Sequence, residues 1–274
     1  MSKRSGQSSQ SHSAAAYFDQ RAMSYDQAEV HHRVVTILLG GADVRQGMRI
    51  LDIATGTGLL ALEAAKHVGS GGSVLGVDVS EGMLAEADRK AAAAGLRNVG
   101  FATADAERLD LPHTSFDRIF CASALVLMSD IRHALHHWSG LLKPGGVIAF
   151  DAPARPFGLS GMMAEIAARH GVRLSYADAA DTADKCRSLL KEAGFEVAAI
   201  RTELADTAPV ELGKAIAFWD DQLGHPAWQA LRAAPAAARD AMRSAYVGSV
   251  MAAAIAGYVP NDTALNFAFG RKPS

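Results

Sequence analysis

The feature that most constrains the fold is a short apolar run that ends in an acid and then turns on two glycines. Residues 48–53 resemble a buried parallel strand with Asp52 near its end, and Gly56 and Gly58 follow with one residue between them. A helical pattern rich in Ala and Leu then covers residues 59–67. Such a turn presents backbone amides beside a helix N-terminus, which predicts an anion or cofactor site in an α/β fold.

The rest of the chain alternates strand and helix patterns in the same way. Apolar runs predict further strands at 73–79, 99–104, 116–121, 147–150, 195–200 and 262–270. Helical patterns stand between them at 81–94, 130–142, 158–170 and 181–193. This alternation predicts a doubly wound, mostly parallel seven-stranded sheet of the Rossmann-like type, with right-handed crossovers.

Four segments are expected. Residues 1–13 are polar and predict a disordered tail, and residues 14–40 predict an N-terminal helical lid. The main domain comprises residues 41–207 and 258–274. Residues 208–257 are Ala-rich and too long for a simple crossover, which predicts a helical insertion serving as a substrate cap or a dimer interface.

Composition and charge exclude several classes of function. The net charge of -2 gives no basic excess for nucleic acid, and the apolar stretch at 247–259 is too short to span a bilayer. The N-terminus lacks a signal sequence, and two cysteines form neither a disulfide framework nor a zinc spacing. We therefore expect a cytoplasmic protein that needs no nucleic acid, membrane or metal. His133, His136 and His137 share a helix face, but a solvated surface explains them better than a metal site.

Three acids at successive strand ends indicate which cofactor is bound. Asp52 would attract an ammonium group and repel a pyrophosphate, Asp78 suits the two hydroxyls of a ribose, and Asp105 suits an adenine amine. Together they describe an adenosine with a cationic amino acid and no phosphates, which is S-adenosylmethionine. The spacing of Gly56, Gly58 and Ala61 also fits a dinucleotide site, so an NAD-linked oxidoreductase remains an alternative that Asp52 and Asp105 oppose.

The ordered motifs resemble those of the class I S-adenosylmethionine-dependent methyltransferases, close to the ubiquinone/menaquinone C-methyltransferases and related small-molecule enzymes. The similarity covers about residues 15–202 and the last strand. Its motifs lie at residues 50–58, 76–84, 104–109, 115–117 and 141–146. Two upstream segments, 17–19 and 24–26, resemble the part of the family that folds over the cofactor. The family also implies that the last strand is antiparallel.

The resemblance implies a role for each matching residue. Gly56 and Gly58 would approach the methionine part of the cofactor, with Asp52 near its amino group. Asp78 would take the ribose hydroxyls, and Asp105 would recognise the adenine amine. The remaining cofactor-binding residues implied are Tyr17, Tyr25, Ala54, Val79, Met83, Ala106 and Ser123.

The resemblance implies methyl transfer to a small, partly apolar acceptor (quinone-like, aromatic or natural product), with S-adenosylhomocysteine as product. Residues 121–128 lack the His common in relatives, so no general base is assigned. The motif expected for nucleobase or glutamine amines is also missing. The acceptor atom, O, C or N, stays open, as does a homodimer. A binding protein with a regulatory or non-methyltransferase role is the second alternative. His31 and His225 could reach the acceptor, although ordinary surface positions are favoured.

Overall fold

The structure, a computed structural model, describes residues 9–174 and 179–274. Its centre is a seven-stranded sheet in the order β3-β2-β1-β4-β5-β9-β6. The strands are β1 Arg49–Ile53, β2 Ser73–Asp78, β3 Val99–Thr103, β4 Phe116–Cys121, β5 Leu142–Phe157, β6 Glu196–Asp206 and β9 Thr263–Arg271. The strands from β3 to β5 pair in parallel, and β9 is antiparallel to both β5 and β6. The predicted fold class is confirmed.

Helices cover both faces of this sheet. Their bounds are α1 Ser9–Asp19, α2 Glu29–Gly41, α3 Leu59–Val68, α4 Glu81–Ala93, α5 Ile131–Leu141, α6 Gly158–Arg169, α7 Ala183–Glu192, α8 Leu212–Gln222, α9 Gln229–Ala233 and α10 Ala236–Ala253. Among the residues that the structure describes, no helix is long and apolar enough to cross a membrane.

Strand β1 explains why the chain buries two separate cores. Side chains of a strand point alternately to opposite faces, and both faces of β1 are covered. Leu51 and Ile53 pack with α5 and α7, whereas Ile50 packs with α2 and α3. All three are fully buried. The unbroken apolar run of β1 is therefore the sequence consequence of burial on both sides.

A third apolar core lies above the sheet and forms the cap. Trp219 on α8 and Tyr246 on α10 are buried in it, and the Tyr246 hydroxyl donates a 2.8 Å hydrogen bond to the Ala215 carbonyl. Leu159 and Met163 of α6 pack into the same core. The cap therefore joins α6 to the insertion predicted at 208–257. The insertion also contains strand β7, Val210–Glu211, which pairs with β8, Tyr258–Val259. The sequence predicted only helix for the insertion, so this two-stranded ribbon was not expected.

The N-terminal segment is more ordered than its sequence predicts. Helix α1 begins at Ser9, so residues 9–13 of the predicted disordered tail are helical and that part of the prediction is wrong. The rest of the predicted tail lies outside the described residues. A short turn, Tyr25–Gln27, and helix α2 complete the segment predicted as a lid.

Candidate active site

A cavity opens at the carboxyl ends of the parallel strands. This edge is where ligands bind in doubly wound sheets, because the loops there leave a crevice. Nine of the predicted cofactor-binding residues line the cavity: Tyr25, Ala54, Gly56, Asp78, Val79, Met83, Asp105, Ala106 and Ser123. We call this space the cofactor cavity. It brings together the end of β2, the loops that follow β1, β3 and β4, and the N-terminal segment.

The glycine turn has the backbone geometry that its sequence predicts. Gly56 adopts φ 56° and Gly58 adopts φ 78°, both in the left-handed region that glycine enters at little cost. Gly58 lies outside the lining of the cofactor cavity and is the N-cap of α3. A Cβ added there would lie 3.0 Å from the Cβ of Ala87, so Gly58 lets α3 and α4 approach closely. Of the two glycines, Gly56 borders the cofactor cavity and Gly58 does not.

The Asp78 carboxylate is held by two backbone amides. Its Oδ2 accepts a 2.8 Å hydrogen bond from Gly56 N, and its Oδ1 accepts a 2.9 Å bond from Ser80 N. Burial raises the pKa of Asp78, and these two donors oppose that rise. A carboxylate oxygen can accept more than one hydrogen bond, so both oxygens retain capacity for hydroxyl groups.

The wall of the cofactor cavity at Asp105 combines this acid with apolar side chains. Asp105 Oδ1 accepts a 3.1 Å hydrogen bond from Glu107 N and caps the short turn Ala106–Arg108. Val79 and the buried Met83 line the same cavity. The Ser80 hydroxyl accepts a 3.1 Å hydrogen bond from Met83 N and so caps α4. This cap positions the Met83 side chain. A flat, partly polar ring would meet apolar walls and one carboxylate here.

Asp52 lies almost completely buried beside the glycine turn, with 1% of its surface exposed. Its Oδ2 accepts a 2.6 Å hydrogen bond from the Thr55 hydroxyl. Its Oδ1 has no hydrogen-bond partner among the residues that the structure describes. Burial is the main cause that raises the pKa of Asp52 to about 7. The carboxyl borders a small cavity shared with Tyr25, Ala54 and Gly56, and there it offers an unused acceptor.

Two acids attach the N-terminal lid to the loops that follow β1 and β2. Asp19 accepts hydrogen bonds from the Ser80 hydroxyl, at 2.6 Å, and from Gly82 N, at 2.9 Å. Asp26 accepts from the Thr57 hydroxyl and forms an ion pair with Lys90. These contacts tie the lid to the start of α4 and to the glycine turn.

The two lid tyrosines take different positions. The Tyr25 ring lies 4.0 Å from the position that a Gly56 Cβ would take, so it covers the glycine turn. Tyr17 lies outside the lining of the cofactor cavity and packs edge-on against His225, with ring centroids 5.2 Å apart. Its hydroxyl is buried without a partner among the described residues. Tyr17 therefore connects the lid to the cap, whereas Tyr25 faces the cofactor cavity.

A second cavity lies beneath the cap and shares Ser123, Ala124 and Leu127 with the first. We call it the acceptor chamber. Most of its walls are apolar, and its polar side chains include His31, Asp151 and His225. The expectation of ordinary surface positions for His31 and His225 is wrong, because both are partly buried against this chamber. The two cavities meet at Ser123, whose φ of 54° turns the chain after β4.

Asp151 is the residue of this chamber that the sequence reasoning missed. It follows the apolar residues 147–150 and is 4% exposed. Its Oδ1 accepts a 2.6 Å hydrogen bond from Ser123 N. Burial raises its pKa to about 6. The position of Asp151 in the sequence could have identified it as a site residue. It follows an apolar strand run, as do the three acids singled out from the sequence.

Both histidines of the chamber are neutral at physiological pH. Burial lowers the pKa of His31 and of His225 to about 4. His225 Nδ1 accepts a 3.1 Å hydrogen bond from Ala227 N, so the proton of the neutral ring lies on Nε2. His31 stacks on Tyr25, with ring centroids 4.3 Å apart. The described residues contain no group of three or more His, Cys, Asp or Glu side chains arranged to hold a metal ion.

Comparison with known proteins agrees with this geometry. Residues 50–146 match the model of a methyltransferase domain family. The chain is 36% identical over 142 residues to an aklanonic acid methyltransferase of Streptomyces sp. (strain C5), covering 50% of this chain and 63% of that protein. It is 40% identical over 149 residues to the ubiquinone/menaquinone biosynthesis C-methyltransferase of Bordetella parapertussis, covering 53% and 57% respectively. The chain thus spans less than two thirds of the length of these relatives.

The fold has solved counterparts as well. The phosphoethanolamine N-methyltransferase 2 of Haemonchus contortus, solved with S-adenosyl-L-methionine, superposes with a TM-score of 0.61 at 20% identity. The match covers 98% of this chain and 61% of that one, and at this identity it concerns the fold alone. Residues 50–146 thus resemble a methyltransferase domain, the relatives that the chain resembles include a ubiquinone/menaquinone C-methyltransferase, and its fold is that of a solved methyltransferase.

Proposed function

We propose that the protein transfers a methyl group from S-adenosylmethionine to a small, partly apolar molecule held beneath the cap. The observation that carries this proposal is the meeting of two cavities at Ser123. One cavity is bordered by the strand-end acids Asp78 and Asp105, and the other is mostly apolar. A donor and an acceptor held in these two spaces would meet at their junction.

The residues of the cofactor cavity fit S-adenosylmethionine. The buried Asp52 Oδ1 without a partner matches a group that brings its own donors and positive charge, such as an ammonium. Asp78 would hold the ribose hydroxyls, Asp105 the adenine amine, and Val79 with Met83 would contact the adenine faces. Bound in this way, S-adenosylmethionine supplies a methyl group that its sulfonium makes electrophilic.

The protein contributes mainly orientation and exclusion of water. Tyr25 covers the glycine turn from the lid, and His225 with Trp228 borders the acceptor chamber from the cap. Holding two reactants in line is worth ~7–11 kcal/mol of the barrier in well-oriented systems. Because α8 and α10 bury Trp219 and Tyr246 in the cap's own core, we assign residues 208–257 to a substrate cap.

The relatives support a small-molecule acceptor. One is named for aklanonic acid and the other for ubiquinone and menaquinone biosynthesis. The mostly apolar chamber suits an aromatic or quinone-like ring of this kind, and the proposal extends to a role in natural-product biosynthesis. Both cysteines are buried and unpaired, which agrees with the reducing cytoplasm as the place of reaction.

The test has a binding part and a transfer part. Calorimetry with S-adenosylhomocysteine measures the first, and methyl-labelled S-adenosylmethionine with a panel of phenols, quinols and carboxylic acids measures the second. Asp78→Asn should weaken S-adenosylhomocysteine binding roughly tenfold to hundredfold, because it removes a charged acceptor. Asp220→Asn is the control, since Asp220 pairs with Arg243 on the outside of the cap. Absence of binding, or binding without transfer to any acceptor, refutes the proposed function.

A further inference from the structure

Asp151 occupies a place that a structural acid on a central strand does not need. Strand β5 buries it to 4% exposure, yet its carboxyl borders the acceptor chamber. Its Oδ1 accepts from Ser123 N at 2.6 Å, and Ser123 lines both cavities. The carboxyl group is therefore one hydrogen bond away from the junction at which donor and acceptor would meet.

The other titratable groups of the chamber are weaker proton acceptors. His225 uses Nδ1 as an acceptor for Ala227 N, which leaves Nε2 as a donor. Burial lowers the pKa of His31 and of His225 to about 4. Burial also raises the pKa of Tyr25, so its hydroxyl stays protonated. A proton released in this chamber would therefore move to Asp151 rather than to these side chains.

The groups around Asp151 are mostly uncharged, although the cations Arg21 and Arg232 lie near the histidines of the chamber. Tyr25 and His31 face it from the lid, His225 from the cap, Cys121 from β4 and Cys186 from α7. Burial raises the pKa of both thiols, so neither carries charge at neutral pH. None of the ion pairs between described residues includes Asp151. An ionised Asp151 would thus lack an ion-pair partner among these residues, which favours taking up a proton from a bound molecule.

We propose that Asp151 is the general base of this site and accepts the proton of a weakly acidic hydroxyl, phenol or enol, on the acceptor. This inference rests on the proposed methyl transfer. The acceptor O–H bond breaks, its proton moves to the Asp151 carboxylate, and the electron pair stays with the acceptor as its nucleophile. That pair forms the new bond to the methyl group, the sulfonium keeps the pair of the broken S–C bond, and Asp151 then releases the proton to water.

The charge of the chamber limits what the acceptor can be. A neutral hydroxyl compound satisfies the unpaired carboxylate by donating a charge-assisted hydrogen bond to it. A preformed carboxylate would instead bring a second negative charge close to Asp151, which has no ion-pair partner among the described residues, and repulsion would weaken its binding. We therefore expect uncharged phenols or enols to be preferred over carboxylic acids of the same shape.

A pair of substitutions separates proton transfer from a structural role. Asp151→Asn keeps an acceptor for Ser123 N but cannot take a proton, whereas Asp151→Ala removes both functions. If Asp151 is the base, both variants lose ~10²- to 10⁴-fold in kcat, and Asp151→Asn still binds S-adenosylhomocysteine as the wild type does. The wild-type kcat should rise with one ionisation near pH 6, and the kcat of Asp151→Asn should lack that step. If Asp151→Asn retains the wild-type kcat and pH profile, the inference fails while the proposed function stands.

Binding of acceptor analogues supplies a readout that needs no turnover. The probes are 2-naphthol, its methyl ether 2-methoxynaphthalene, and 2-naphthoate, titrated into protein saturated with S-adenosylhomocysteine at about pH 8, where Asp151 is ionised. Wild type should bind 2-naphthol at least about tenfold more tightly than the ether or the carboxylate, because only 2-naphthol donates to Asp151. Asp151→Asn should reduce that preference, and Asp220→Asn should leave it unchanged. Equal binding of naphthol and ether to wild type, or no binding of naphthol, overturns the inference.

Discussion

Replacing Asp52 by Asn should make the stability of the protein less dependent on pH. Asp52 is 1% exposed, and burial is the main cause that raises its pKa from the ordinary value of 3.8 to about 7. The Asn side chain can still accept the hydrogen bond that the Thr55 hydroxyl gives to Oδ2. The substitution therefore removes the charge while it conserves the size and one contact of the side chain.

The magnitude follows from proton linkage. Because the folded state binds the Asp52 proton more tightly than the unfolded state, the stabilisation is fully present below about pH 4 and is lost as the pH rises through about 7. At ~1.4 kcal/mol per pH unit, the full loss is about 4 kcal/mol. Roughly 3 kcal/mol of that loss falls between about pH 5 and pH 8.

Urea unfolding followed by tryptophan fluorescence measures this difference. The free energy of unfolding of wild type and Asp52→Asn is compared at about pH 5 and pH 8. Asp151 titrates in both proteins, so its contribution cancels in the comparison. The advantage of Asp52→Asn over wild type should grow by about 3 kcal/mol from the lower to the higher pH. If both proteins change in parallel, Asp52 does not titrate as argued and the case for a buried acceptor beside the cofactor is refuted.

Three further outcomes follow from the structure. Gly58→Ala should destabilise the protein by ~1–3 kcal/mol more than Gly95→Ala in urea unfolding, because both have positive φ but only Gly58 meets a neighbouring Cβ at 3.0 Å. Similar losses for the two variants would contradict the packing role of Gly58. Tyr246→Phe should lower the free energy of unfolding by ~1 kcal/mol, since it removes the hydrogen bond to the Ala215 carbonyl. No change in the urea midpoint would refute that role. Asp26→Asn should weaken S-adenosylhomocysteine binding about tenfold in calorimetry and speed hydrogen exchange at residues 20–30, because the ion pair with Lys90 is lost. Unchanged exchange there would show that Asp26 does not hold the lid.

Local sequence patterns predict the main domain well because its elements are short-range features. The apolar run that becomes β1, the glycine turn and the start of α3 are contiguous, and each is specified by neighbouring residues. Asp78 and Asp105 reach the cofactor cavity for the same reason, since parallel strands end at one edge of the sheet. Gly58 shows the limit of this reasoning: its positive φ follows from the turn, but its contact is with Ala87 on α4 rather than with the cavity.

The acceptor chamber could not be derived from local patterns. His31, Asp151 and His225 stand far apart in the chain and share no spacing, and they meet only when lid, sheet and cap have packed. Helix α6 packs into the cap core. Its sequence alone does not predict this position, because an apolar helix face can pack against either the sheet or the insertion. Helix α1 likewise packs against α4 and the cap, which its own sequence does not specify.

The α/β fold and the strand-end acids that border the cofactor cavity could be read from the sequence alone, since both depend on periodicity and on acids at strand ends. The packing of lid, sheet and cap, in contrast, brings His31, Asp151 and His225 to one chamber, because that chamber lies between elements that are distant in the chain. It also decided the electrostatics of the site. Burial, not residue type, makes His225 neutral and raises the pKa of Asp52 and Asp151.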